Sequence, residues 1–147
     1  MALSSPGEIF HYIRSISYPN NKSKHLHKMA NILIHDFNGK VPDSVDSLQL
    51  LPGVGRKTAN VVLNELFGQP TIAVDTHIFR VCNRTKLAKG KTPELVEQGL
   101  IKCIPKQYKR PLHQWLIQLG RYTCVARKPK CSQCVLIELC EYPNKSL

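Results

Sequence analysis

No apolar run in the sequence approaches the ~18–20 residues that a membrane-spanning helix needs. The opening stretch, MALSSPGEIF, has no basic segment followed by an apolar one, so no secretory leader is expected. A cytoplasmic, reducing compartment follows as the default, and there six cysteines are metal ligands or buried thiols rather than disulfides. There are no internal repeats and no low-complexity tract. The six histidines form no spacing that reads as a ligand set. Acidic residues are scarce: 10, against 21 Lys and Arg, for a net charge of +11. That imbalance favours nucleic acid or another polyanion as partner, the plain alternative being a generally basic soluble surface.

What is present is enough for one ordinary domain or two small lobes: 147 residues, 42% of them hydrophobic, which argues against disorder. The periodicity predicts an all-α chain. Ser5, Pro6 and Glu8 form a capping box with proline in the first turn, followed by Ile9, Ile13 and Ile16 at helical spacing. SYPNN (17–21) breaks that helix. A second helix carries Leu26, Met29, Ala30 and Leu33 and ends at Gly39 and Pro42. Asp43 or Ser44 can cap a short third helix bearing Val45, Leu48 and Leu51. A fourth runs from about Gly55 to Phe67, stopped by Gly68. PTIAVD (70–75) reads as a buried extended connector, because no partner strand can be found. Asp75 is placed to cap a fifth helix, Thr92 and Pro93 start a sixth, and a last helix is expected over roughly 111–122. Trp115 on that helix is expected in the core, as are Cys82 and Cys103.

Three stretches carry chemistry. LPGVG sits between two helices. Gly53 and Gly55 let the backbone approach an anion closely, and the next helix adds its positive end. Pro52, Val54 and Arg56 complete this candidate phosphate grip, which would be blind to base sequence. The competing reading is a tight helix–helix turn and no more. Lys57 follows at once, a position where most lysines are only solvated surface. Cys124, Cys131, Cys134 and Cys140 have six, two and five residues between them. Four thiolates so close can satisfy one metal centre. With a single C-x₂-C pair, the set matches neither the usual zinc pattern nor a ferredoxin pattern.

LPGVGRKTANVVLN followed by TIAVDTHIFRVCNRT resembles the core of endonuclease III, a DNA glycosylase of the helix-hairpin-helix superfamily. The likeness runs from about residue 40 to 142. It implies a helix-hairpin-helix glycosylase core (a partial helical barrel) plus a C-terminal iron–sulfur domain. The implied lobes are 1–74, with the hairpin at about 43–67, and 75–147, ending in the cluster loop 124–140. It implies that Lys57 is the nucleophile and Asp75 its assistant. The residues agree with this independently. A lysine amine attacks C1′ of a sugar only when neutral, and Arg56 and a helix N-terminus beside it both disfavour the ammonium. A carboxylate does the opposite, so the task of Asp75 is to stabilise oxocarbenium-like charge and to move protons.

The resemblance further implies a [4Fe–4S] cluster on Cys124, Cys131, Cys134 and Cys140. The cluster would hold Arg127, Lys128 and Lys130 rigid against phosphates. The implied function is base-excision repair by a monomer: removal of oxidised pyrimidines and Schiff-base cleavage of abasic sites in double-stranded DNA, with no membrane. His77, after Asp75, is assigned no chemistry. Tyr18 reads as a packed turn residue or as a wedge that props the duplex open. The chain departs from the family in one respect. Endonuclease III proteins carry several more helices ahead of the point where this chain begins, and these complete the barrel and one wall of the base pocket. An exposed apolar face is expected where they would pack. A non-catalytic DNA-binding module that keeps the hairpin and cluster is the alternative reading.

Overall fold

The computed structural model describes residues 1–146. Seven α-helices follow in order: α1 (Pro6–Ile13), α2 (Pro19–Phe37), α3 (Val45–Gln49), α4 (Arg56–Glu65), α5 (Thr76–Thr85), α6 (Pro93–Cys103) and α7 (Lys106–Gln118). A π-helical turn, Leu119–Thr123, and a 3₁₀ turn, Cys131–Gln133, complete the set, and no strand occurs among the described residues. The connector 70–75 lies in neither helix nor strand, with the Thr71 N–H donating to Gln69 O at 2.8 Å and Asp75 extended. Two compact units emerge, Met1–Ala59 and Asn60 onward, parted within α4. The lobes expected from sequence, a partial helical barrel over 1–74 and a helical lobe over 75–147 that ends in the cysteine loop, stay a proposal.

In the first unit, α1 starts where its capping box dictates. Ser5 Oγ accepts the Glu8 N–H at 3.2 Å, and Glu8 Oε2 accepts the Ser5 N–H at 2.6 Å. Those bonds hold the Glu8 carboxyl below its ordinary range. Helix α2 packs on α1, and His27 Nδ1 reaches back to the Ser4 carbonyl at 2.8 Å. Left-handed Asn38 and Gly39 end α2, with the Gly39 N–H donating to Leu33 at 2.7 Å. Ser44 caps α3, whose Leu48 is buried together with nearby Leu51.

The second unit is built around Ile72, Val74, Ile78, Val81, Cys82, Val96, Leu100, Leu112 and Leu116. The connector is part of this core, and three side-chain bonds fix it. Asn60 Nδ2 donates to Ile72 O (3.5 Å), Asn64 Nδ2 to Thr71 O (2.9 Å) and Thr71 Oγ1 to Asn60 O (2.6 Å). The π turn demands Gly120: a Cβ there would lie 2.9 Å from His77 Cβ.

Three expectations are corrected. Helix α7 begins at Lys106, not 111. Pro105 precedes it, and Pro111 sits inside, where its missing N–H costs one helical bond. Trp115 is 53% exposed, because its side of α7 opens onto an apolar recess of about 520 Å³ that Tyr108 and Val135 also line. Cys103 is exposed too, with its Sγ resting on the Leu87 carbonyl at 3.6 Å. Cys82 is fully buried, and desolvation, reinforced by nearby Cys103, pushes its thiol up to about 12.

Candidate nucleic-acid interface and metal centre

The glycine turn of the hairpin, residues 51–55, lies in the first unit. Leu51 is buried and anchors it, and its carbonyl accepts the Val54 N–H at 3.0 Å. The two glycines are needed for different reasons. Gly53 has φ +81°, and a Cβ on it would lie 2.7 Å from His25 Nδ1, so the turn itself requires glycine there. At Gly55 the backbone stays out of the left-handed region and a Cβ would meet nothing within 4 Å. The fold therefore leaves Gly55 facing open space. Its carbonyl accepts the Ala59 N–H at 2.9 Å and so opens α4. The first-turn N–H groups of any helix lack partners within that helix. Gly53, Gly55, Arg56 and Lys57 are all exposed, and Pro52 and Val54 are half-buried between them. The arrangement presents a helix N-terminus and two exposed cationic side chains on one short segment, which is the makeup of an anion site.

Asp75 stands in the second unit as the N-cap of α5. Its Oδ1 accepts the His77 and Ile78 N–H groups, both at 2.9 Å. The capping expected from sequence is therefore present. His77 Nδ1 lies 3.3 Å from Arg80 Nη2. Tyr18 occupies a left-handed position ahead of α2 and is 79% exposed, so it is not packed into its turn.

Cys124, Cys131, Cys134 and Cys140 all line one small recess of about 20 Å³, partly open to solvent, and none is in a disulfide. Among the described residues no group of three or more His, Cys, Asp or Glu is gathered around a single metal ion. Four free thiols around one recess suit a guest that bonds each at its own corner, and the donor set fits an iron–sulfur cluster. The loop between the first two cysteines is shaped by the Lys130 N–H on Thr123 O (2.9 Å) and by left-handed Lys128. Arg127, Lys128 and Lys130 are exposed on it.

Sequence reasoning missed the residues that hold these parts in place: His25 beneath Gly53, Asn60 and Asn64 on the connector, and two arginines of α5. Arg80 donates to Cys124 O at 3.0 Å and Gly120 O at 2.7 Å. Arg84 donates to Val125 O at 2.7 Å and Ala126 O at 2.8 Å. The available signal was two arginines four apart on a helix whose other face is core.

Residues 1–106 match the family described as HhH-GPD superfamily base excision DNA repair protein, and residues 124–140 match the iron–sulfur binding domain of endonuclease III. The chain belongs to the HhH-GPD superfamily. Among curated relatives it is 56% identical over 134 residues to endonuclease III of Escherichia coli (strain K12), and 54% identical to that of Haemophilus influenzae. Either alignment covers 91% of this chain and 64% of the relative. The chain thus spans just under two thirds of the length of these relatives.

Among solved structures, a trapped endonuclease III–DNA covalent intermediate superposes with a TM-score of 0.89 at 42% identity, over 95% of this chain and 66% of that one. A thermostable thymine-DNA glycosylase gives 0.83 at 29% identity over the same shares. No described helix is long and apolar enough to cross a membrane.

Proposed function

We propose that this chain is a bifunctional DNA glycosylase and abasic-site lyase of base-excision repair, acting on oxidised pyrimidines in duplex DNA as a monomer. The observation that carries the reading is Lys57: an exposed lysine in the first turn of α4, two residues beyond Gly55, which backs onto open space. Pro52, Gly53, Val54, Gly55 and Arg56 hold the phosphate backbone, and Arg127, Lys128 and Lys130 add charge from the cysteine loop.

Neutral Lys57 Nζ attacks C1′ of the damaged nucleotide. The C1′–N bond breaks, and the base leaves with the electron pair and takes up a proton. Ring opening gives a Schiff base between Nζ and C1′. Asp75, held by the two hydrogen bonds that its Oδ1 accepts in the cap, stabilises the cationic sugar and relays protons. Loss of a C2′ proton then expels the 3′ phosphate by β-elimination, and water releases Lys57. Cys124, Cys131, Cys134 and Cys140 would hold a [4Fe–4S] cluster, which supplies a rigid cross-link to the tail rather than a step in this reaction.

A duplex with one abasic site tests the reading. Strand cleavage by the wild-type chain that is lost in Lys57→Ala is the expected result. Equal cleavage by both, or none by either with binding intact, would leave a DNA-binding module without catalysis.

A further inference from the structure

Arg84 lies on the last turn of α5, and its side chain lines the recess of the four cysteines. One edge of its guanidinium is spent on the loop carbonyls of Val125 and Ala126. The same Nη1 also points at Cys124 Sγ, 3.5 Å away. The guanidinium lies over the Tyr142 ring, with Cζ 4.8 Å from its centre. The segment that ends the chain is drawn onto the same helix end, where Lys86 Nζ meets Glu141 Oε2 at 3.4 Å. Two carbonyl bonds and the ring contact together hold the cation beside the sulfur.

We propose that Arg84 is a positioning residue for the iron–sulfur centre, holding the Cys124 corner and drawing electron density from that sulfur. The inference rests on the cluster reading above. Charge-assisted donors are the strong ones, and hydrogen bonds to cluster sulfurs are among the levers that set a reduction potential. A fixed positive donor favours the more electron-rich, reduced form. Removing it therefore lowers the potential. The rest of the guanidinium's bonds make this specific to arginine: a lysine keeps the charge but cannot fork to two carbonyls and lie over Tyr142.

The test is a mediated redox titration of the iron-loaded full chain, read by the cluster's visible absorption, with no DNA and no turnover. At the wild-type midpoint, Arg84→Gln is expected to lower the ratio of reduced to oxidised cluster about three- to tenfold, where tenfold is 59 mV for one electron. Arg84→Lys is expected to shift it the same way by at least about twofold. A fully loaded Gln variant with an unchanged ratio overturns the inference. Should the Gln variant not load iron, the Lys variant decides, and an unchanged ratio there overturns it as well. Wild-type protein that binds no iron overturns the cluster reading and this inference with it.

Discussion

Replacing the two hairpin glycines one at a time separates what the fold needs from what a ligand needs. Gly53→Ala places a Cβ at φ +81°, 2.7 Å from His25 Nδ1. The left-handed conformation alone costs about 1–2 kcal/mol. The overlap adds to this, though modestly, because His25 is exposed and can swing outward. A total of about 2 kcal/mol corresponds to a midpoint lowered by roughly 4–8 °C in a domain of this size. His25→Ala in the same background should restore part of the loss. Gly55→Ala meets nothing within 4 Å and needs no unusual backbone. Its stability should change by less than about 1 kcal/mol, the gain through the unfolded chain being offset by alanine's poorer fit at the start of α4. Its affinity for duplex DNA should nonetheless fall severalfold, since the methyl group occupies the space a phosphate would enter. Thermal denaturation and fluorescence anisotropy on both variants decide. A Gly55→Ala protein that is stable and binds DNA as well as wild type would refute the phosphate grip.

Asp75→Asn should keep the cap of α5, since Asn and Asp cap about equally, and yet lose strand cleavage. Asp75→Ala should lose both, with about 1 kcal/mol of stability gone. In thiol labelling at pH 8, Cys103 should react at once, whereas buried Cys82, its thiol pushed up to about 12, should react only on unfolding. Changing Arg127, Lys128 and Lys130 together to Gln should weaken DNA binding alike for all sequences, and flatten its logarithmic salt dependence by up to about 2.7, at ~0.9 per phosphate contact.

The helix starts were legible because they are local. Ser5, Ser44, Asp75 and Thr92 each accept N–H groups two or three residues ahead, so cap and partner lie in one short window. The reading failed at α7, where a proline that usually opens a helix stands inside one behind Pro105. Trp115 shares a side of its helix with buried Leu112, and periodicity cannot tell a covered face from an open recess. The cysteine spacing pointed to a centre, but Arg80 and Arg84 could not be tied to it. The carbonyls that both donate to lie more than 35 residues away along the chain, and a backbone carbonyl carries no signature in sequence. Asn60 and Asn64 were hidden in the same way: each looks like a helix polar residue, and each is buried against the connector that leads to Asp75.

The central claim is that Lys57 is a nucleophile, and borohydride trapping tests it most directly. The chain is mixed with an abasic-site duplex, reduced, digested and sequenced by mass spectrometry. A covalent adduct carried on Lys57, and absent from Lys57→Ala, is the expected result. No adduct from protein that binds the duplex, or an adduct carried on other lysines and undiminished in the variant, would contradict the account.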